Sequence, residues 1–91
     1  MYYNFVEFSS GDTYTYKNLE TDLRSGREID FLYKDSRYCI LLEEEGWVFV
    51  ELFSGWTSEV YESFEELLDT IKIDGKKLKD ILDSLKVRYI F

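Results

Sequence analysis

The sequence predicts an α+β fold: an antiparallel sheet of about four to five strands, built on a central three-stranded meander and packed with two to three short helices. Three observations lead there. Between Glu28 and Phe53, three strand-like runs, the first alternating Ile29, Phe31 and Tyr33 against Asp30 and Lys34, are separated by Lys34-Asp35-Ser36 and Glu44-Glu45-Gly46, the spacing of consecutive hairpins. In the last third, apolar residues instead recur at i, i+3, i+4 and i+7, the period of a helix face. The chain is 91 residues long, 45% hydrophobic and 19% aromatic. Two cores of half that size would be too small to stand alone, so residues 1–91 are read as one domain filled by large rings.

Taken in order, Tyr2 to Phe8 reads as a strand, Ser9-Ser10-Gly11-Asp12 as a turn and Thr13 to Tyr16 as a second short strand. Tyr16, Leu19 and Leu23 are spaced for a helix over Lys17 to Ser25, with Gly26 at its left-handed end. The meander strands are Glu28 to Lys34, Arg37 to Glu43 and Trp47 to Phe53. The second and third are apolar on both faces, which requires the second face to be covered by the chain itself or by another molecule, a homodimer included. Ser63-Phe64-Glu65-Glu66 fits a capping box for a helix carrying Phe64, Leu67, Leu68 and Ile71. Asp74-Gly75 ends that helix and can cap the next, which carries Leu78, Ile81, Leu82 and Leu85. Lys86 to Phe91 reads as a last strand, with Val87, Tyr89 and Phe91 on one face.

Charge is the most informative feature. The net charge is −8, and from Tyr38 to Ile71 there is no Lys or Arg against nine acids: Glu43, Glu44, Glu45, Glu51, Glu59, Glu62, Glu65, Glu66 and Asp69. The rest of the chain carries ten acids and eleven bases, so the whole excess comes from 34 contiguous residues. Such a field repels nucleic acid and anionic membranes and attracts basic surfaces. Two readings stand: a solvated face that keeps the protein soluble, and a docking surface for a basic partner, carried by Glu43, Glu44, Glu45, Glu59, Glu62, Glu65, Glu66 and Asp69. Within the same stretch, Trp56 stands among small residues in Ser54-Gly55-Trp56-Thr57-Ser58. It is a candidate anchor, with Tyr61 as a second. The sequence leaves open whether Trp56 folds back onto the core or stands exposed, and leans to the first. Lys76, Lys77 and Lys79 form a small basic cluster, read as paired with the acids or solvated rather than as a phosphate site.

Catalytic chemistry finds little support, so the chain is read as not an enzyme and as needing no cofactor. There is no His, the single Cys39 sits mid-strand among apolar neighbours, and the serines lack an imidazole base. One Cys without His cannot build a zinc site, and Glu43-Glu44-Glu45 lacks the alternating ligands of a calcium loop, so no metal is expected. The five glycines lie apart, with no phosphate-cradling loop. A lone cysteine suggests a reducing cytoplasm, no apolar run is long enough to span a membrane, and Met1-Tyr2-Tyr3-Asn4 has no basic leader region.

Two stretches resemble a known group. Gly26-Arg27-Glu28-Ile29-Asp30-Phe31, with Tyr38 to Ile40 beyond it, resembles a segment of small acidic proteins from phages and mobile elements of Gram-positive bacteria. Phe64-Glu65-Glu66-Leu67-Leu68 and Ile73-Asp74-Gly75-Lys76-Lys77-Leu78-Lys79-Asp80-Ile81 are similar to their C-terminal half. The two stretches together cover about half the chain. Such proteins look like inhibitors of bacterial defence, anti-CRISPR proteins among them, some of which fill a nuclease's basic groove by imitating nucleic-acid charge. The resemblance implies a non-enzymatic inhibitor in the bacterial host cytoplasm, bound to a basic, nucleic-acid-binding nuclease and not to nucleic acid directly. An immunity protein or antitoxin against a basic toxin uses the same physics. A sponge for a signalling nucleotide is a third reading, disfavoured by the surplus of acids.

Overall fold

A computed structural model describes residues 6–7, 14–82 and 86–91. Its elements run β1 (Val6–Glu7), α1 (Tyr16–Arg24), β2 (Ile29–Tyr33), β3 (Ser36–Glu43), β4 (Gly46–Glu51), β5 (Trp56–Thr57), α2 (Phe64–Thr70), β6 (Lys72–Ile73), β7 (Lys76–Lys77), α3 (Leu78–Ile81) and β8 (Lys86–Ile90). Six strands form one antiparallel sheet in the order β1-β8-β2-β3-β4-β5, while β6 and β7 pair apart from it. The α+β class and the central β2-β3-β4 meander are those the sequence predicts. The two-residue edge strand β5 takes the sheet beyond the expected four to five. The predicted turn at residues 9–12, most of the first strand and Leu85 lie outside the described residues.

Local chemistry explains the helix ends. Thr15 Oγ1 accepts from the Asn18 amide and Asn18 Oδ1 accepts from the Thr15 amide, both at 3.1 Å, a reciprocal cap that the predicted strand over Thr13 to Tyr16 concealed. Tyr16 therefore opens α1 instead of closing a strand. At the other end, Gly26 has φ +83°. Its amide donates to Leu23 O and the Arg27 amide to Asp22 O, the paired bonds of a left-handed helix terminus. Ser63 Oγ caps α2 by accepting from the Glu66 amide, the first half of the predicted box.

Asp74-Gly75 does something different from the expected cap. Both residues have positive φ, 55° and 76°, and they turn the chain from β6 into β7. Asp-Gly is the pair that a two-residue hairpin favours. Lys77 stands at the cap position of α3 and makes no side-chain capping bond there. The last strand also departs from simple alternation. Val87 faces Phe31 and Ile90 faces Ile29, with a register shift between Asp30 and Phe31. The extra residue in β8 moves the phase, so Val87 and Ile90, three apart, both enter the core, in place of the predicted Val87, Tyr89, Phe91 face.

One face of the sheet, with Ile29, Phe31, Ile40, Trp47, Phe49, Val87 and Ile90, packs on Leu19 and Leu23 of α1, Phe64, Leu67 and Leu68 of α2, and Leu78 and Ile81 of α3. On the opposite face Val48 and Cys39 are also buried, so the chain covers the middle of that face itself. Beside them lies Asp30, 4% exposed, held by Arg37 through Nε at 3.0 Å and Nη2 at 2.8 Å, with Cys39 Sγ 3.6 Å from Oδ2. Removing one member of a buried pair leaves the other without its partner. Arg37 is partly exposed, so Asp30→Ala is expected to cost about 2–3 kcal/mol, read as a lowered urea midpoint at unchanged slope.

Cys39 follows from the same packing. Burial, then the Asp30 carboxylate beside it, pushes the thiol from 9.0 up to about 12. The neutral thiol is the form the fold favours. The stability this contributes is therefore complete below pH 9.0 and lost as pH rises through about 12. Native protein is expected to resist alkylation by iodoacetamide at pH 8 and to react promptly in urea. Rapid native labelling would refute the buried placement.

Candidate partner-binding surface

The acids predicted to carry binding fall into three groups. Glu43, Glu44 and Glu45 occupy the exposed β3–β4 turn. Glu59 and Glu62 are exposed on the segment that runs along the outer edge of β4. That segment is held by reciprocal bonds, Trp47 N–H to Tyr61 O and Tyr61 N–H to Trp47 O, both 2.8 Å, and by Ser58, whose amide donates to Phe49 O and whose Oγ accepts from the Phe49 amide. Gly46 makes the approach possible: a Cβ there would lie 2.3 Å from Tyr61 O. The pairing thus sets Glu43–Glu45 next to Glu62 at one end of β4. Glu65, Glu66 and Asp69 follow, exposed on α2, with Glu65 and Glu66 in its first turn where the helix dipole favours them.

These acids are not equally available. Asp69 accepts from Lys77 Nζ at 2.9 Å, which holds its carboxyl below the usual carboxylate range. Glu65 lies 3.8 Å from Arg24, whose guanidinium also sits over the Phe64 ring. Among the described residues, Glu43, Glu44, Glu45, Glu59, Glu62 and Glu66 make no ion pair. These six form an unneutralised acidic rim. The lysine cluster behaves as expected where Lys77 pairs with the acidic segment. The cleft of about 390 Å³ beside it is lined by Glu20, Glu65, Glu66 and Asp69 as well as Lys77 and Lys79, a poor setting for phosphate.

The two aromatic candidates part company. Tyr61 is 5% exposed and belongs to the core, because its backbone bridge to Trp47 turns the ring inward beside Phe64 and Leu67. Its predicted role as an anchor is corrected: the ring is not available to a partner. Trp56 is 53% exposed, against the sequence's lean toward burial. It stands on the edge strand β5 opposite Glu51, after a turn that also exposes Phe53 at 70% and Leu52 at 43%. That places it at the far end of β4 from the Glu43–Glu45 turn, about 17 Å along the strand. The single surface predicted from the sequence is therefore two, an acidic rim and an aromatic hairpin.

Sequence spacing missed what surrounds Trp56. Tyr38 pairs with Glu51, and Glu51 pairs with Trp56, so three strands set them in one row on one face. Tyr38 stacks on Phe31 and Phe49 with ring centroids 5.5 and 5.4 Å away. Glu51 accepts from the Ser54 amide at 3.0 Å and from Ser54 Oγ, which keeps its carboxyl below the usual range. Alternation alone assigned Glu51 to the strand, and nothing local marked its cross-strand neighbours.

Comparisons of the chain with family models, curated proteins and solved structures find no match. Among the described residues no helix is long and apolar enough to cross a membrane. No three Cys, Asp or Glu of the described residues converge where a metal ion could be held.

Proposed function

We propose that the protein is a non-enzymatic binding protein that docks its acidic rim on a basic, nucleic-acid-binding surface of a bacterial nuclease and blocks it, as an anti-defence inhibitor does. The observation that carries this is the rim itself: six carboxylates, gathered from a turn, an edge segment and a helix start, stand exposed without a cationic partner among the described residues, while the neighbouring Glu65 and Asp69 are paired. Unpaired carboxylates serve a surface that waits for Arg and Lys, because complementary charge steers encounter and is compensated only in the complex. The resemblance to small phage proteins supplies the class of target, and nuclease inhibition rests on it.

The test is capture by the tagged protein from bacterial lysate at low salt, with elution in a salt gradient. A basic nuclease should be retained, be released as salt rises and lose its nucleic acid when the inhibitor is present. Capture of a basic toxin would transfer the reading to an immunity protein. Retention that does not respond to salt would refute charge-led docking.

A further inference from the structure

We propose that the groove between the β4–β5 hairpin and the β6–β7 hairpin is a receptor for an arginine side chain of the protein's basic partner. This deepens the docking reading and rests on it, while making a separate claim about a different part of the surface.

The groove has a volume of about 450 Å³ and is lined by Tyr38, Phe49, Glu51, Ser54, Trp56, Lys72, Ile73 and Asp74, of which Tyr38, Glu51 and Trp56 carry the argument. They are direct cross-strand neighbours in the order Tyr38–Glu51–Trp56, so a carboxylate stands between two aromatic side chains on adjacent strands. Tyr38 and Trp56 are two strand spacings apart, about 10 Å between backbones, which leaves room for a planar group between their rings. Tyr38 is held in place by its stacking on Phe31 and Phe49. Glu51 is held by Ser54, whose two bonds fall on Oε1. The Ser36 hydroxyl and the Phe53 backbone bond the same carboxylate, so Glu51 offers an occupant a fixed negative charge.

Charge selects the occupant. Asp74 is bound to Lys34 at 2.7 Å, which leaves Glu51 and Lys72 as the groove's other charged groups. Lys72 is an exposed, flexible side chain at the margin, whereas Glu51 is fixed. An aromatic pair flanking a fixed carboxylate matches guanidinium more closely than ammonium, because guanidinium is flat, stacks on rings and donates in plane. A chain with net charge −8 also meets basic partners first. The half-exposed Trp56 is the apolar contact such a side chain's methylene stem would cover.

The experiment is a nuclear magnetic resonance titration of the full chain with acetyl-Gly-Arg-Gly-amide, and with the lysine and citrulline peptides. Arginine peptide is expected to shift the Trp56 indole and the Glu51 and Ser54 amides, and to bind at least about fivefold more tightly than lysine peptide. Buried Trp47 should stay still. Trp56→Leu and Glu51→Gln should each weaken binding about tenfold. Lys72→Gln should strengthen it about threefold, a gain that a misfolded variant cannot produce. Equal binding of the three peptides, shifts confined to Glu43–Glu45 and Glu62, or indifference to Trp56→Leu would overturn the groove assignment. The docking reading fails separately, when reversal of the rim charges leaves capture of the basic partner intact.

Discussion

Gly46→Ala is expected to cost about 3 kcal/mol or more, through the approach of two backbones and not through glycine's flexibility alone. Gly46 has φ +144°, and an added Cβ would sit 2.3 Å from Tyr61 O, 3.1 Å from Tyr61 C and 3.0 Å from Val60 Cγ1. The carbonyl cannot retreat cheaply because it accepts the Trp47 amide at 2.8 Å. Relief requires opening the Trp47–Tyr61 bridge, which exposes two backbone bonds and loosens two buried rings. Gly55→Ala is the control. It too has positive φ, +77°, but nothing lies within 4 Å of the new Cβ, so only backbone strain of about 1 kcal/mol is expected. For a domain of this size the difference should separate the two melting temperatures by roughly 10 °C. Equal losses would mean that the close approach of the β3–β4 turn and the edge segment is not real. Because that approach sets Glu62 beside Glu43–Glu45, Gly46→Ala should also weaken partner capture, and Gly55→Ala should leave the rim intact.

Reversing Glu44, Glu62 and Glu66 to lysine is expected to reduce binding of the basic partner by at least about a hundredfold, since like charges placed against each other cost several kcal/mol across an interface. Each reversal changes the charge by two, so the net charge moves from −8 to −2. A control with Glu7, on the opposite sheet edge, Asp35 and Asp80 reversed reaches the same −2 without touching the rim. If steering by overall charge were the whole effect, the two variants would lose equally. If the rim is the contact surface, the first loses far more, and its remaining affinity depends little on salt. Reversal of Glu65 and Asp69 should have an intermediate effect, because Arg24 and Lys77 already occupy them.

Features that depend on near neighbours along the chain were legible before folding. The meander follows from three strand-like runs parted by two short turns, and the α2 face from the spacing of Phe64, Leu67, Leu68 and Ile71. The end of α1 follows from Gly26, which alone adopts its backbone angle without cost. Charge was legible too, since composition assigns the surplus of acids to one stretch whatever its shape.

Tertiary structure decided the rest, because the deciding contacts join residues distant in sequence. Tyr61 was a plausible anchor until its backbone pairing with Trp47, fourteen positions away, turned the ring into the core. Trp56 gained a carboxylate and a second ring only because β5 folds back on β4 and β4 lies on β3. Lys77 and Arg24 cancel Asp69 and Glu65 through packing of separate elements, so equal acids in the sequence became unequal on the surface. Period and composition describe one segment at a time. Which charges stay free and which rings stay exposed depend on the partner that the fold brings to each.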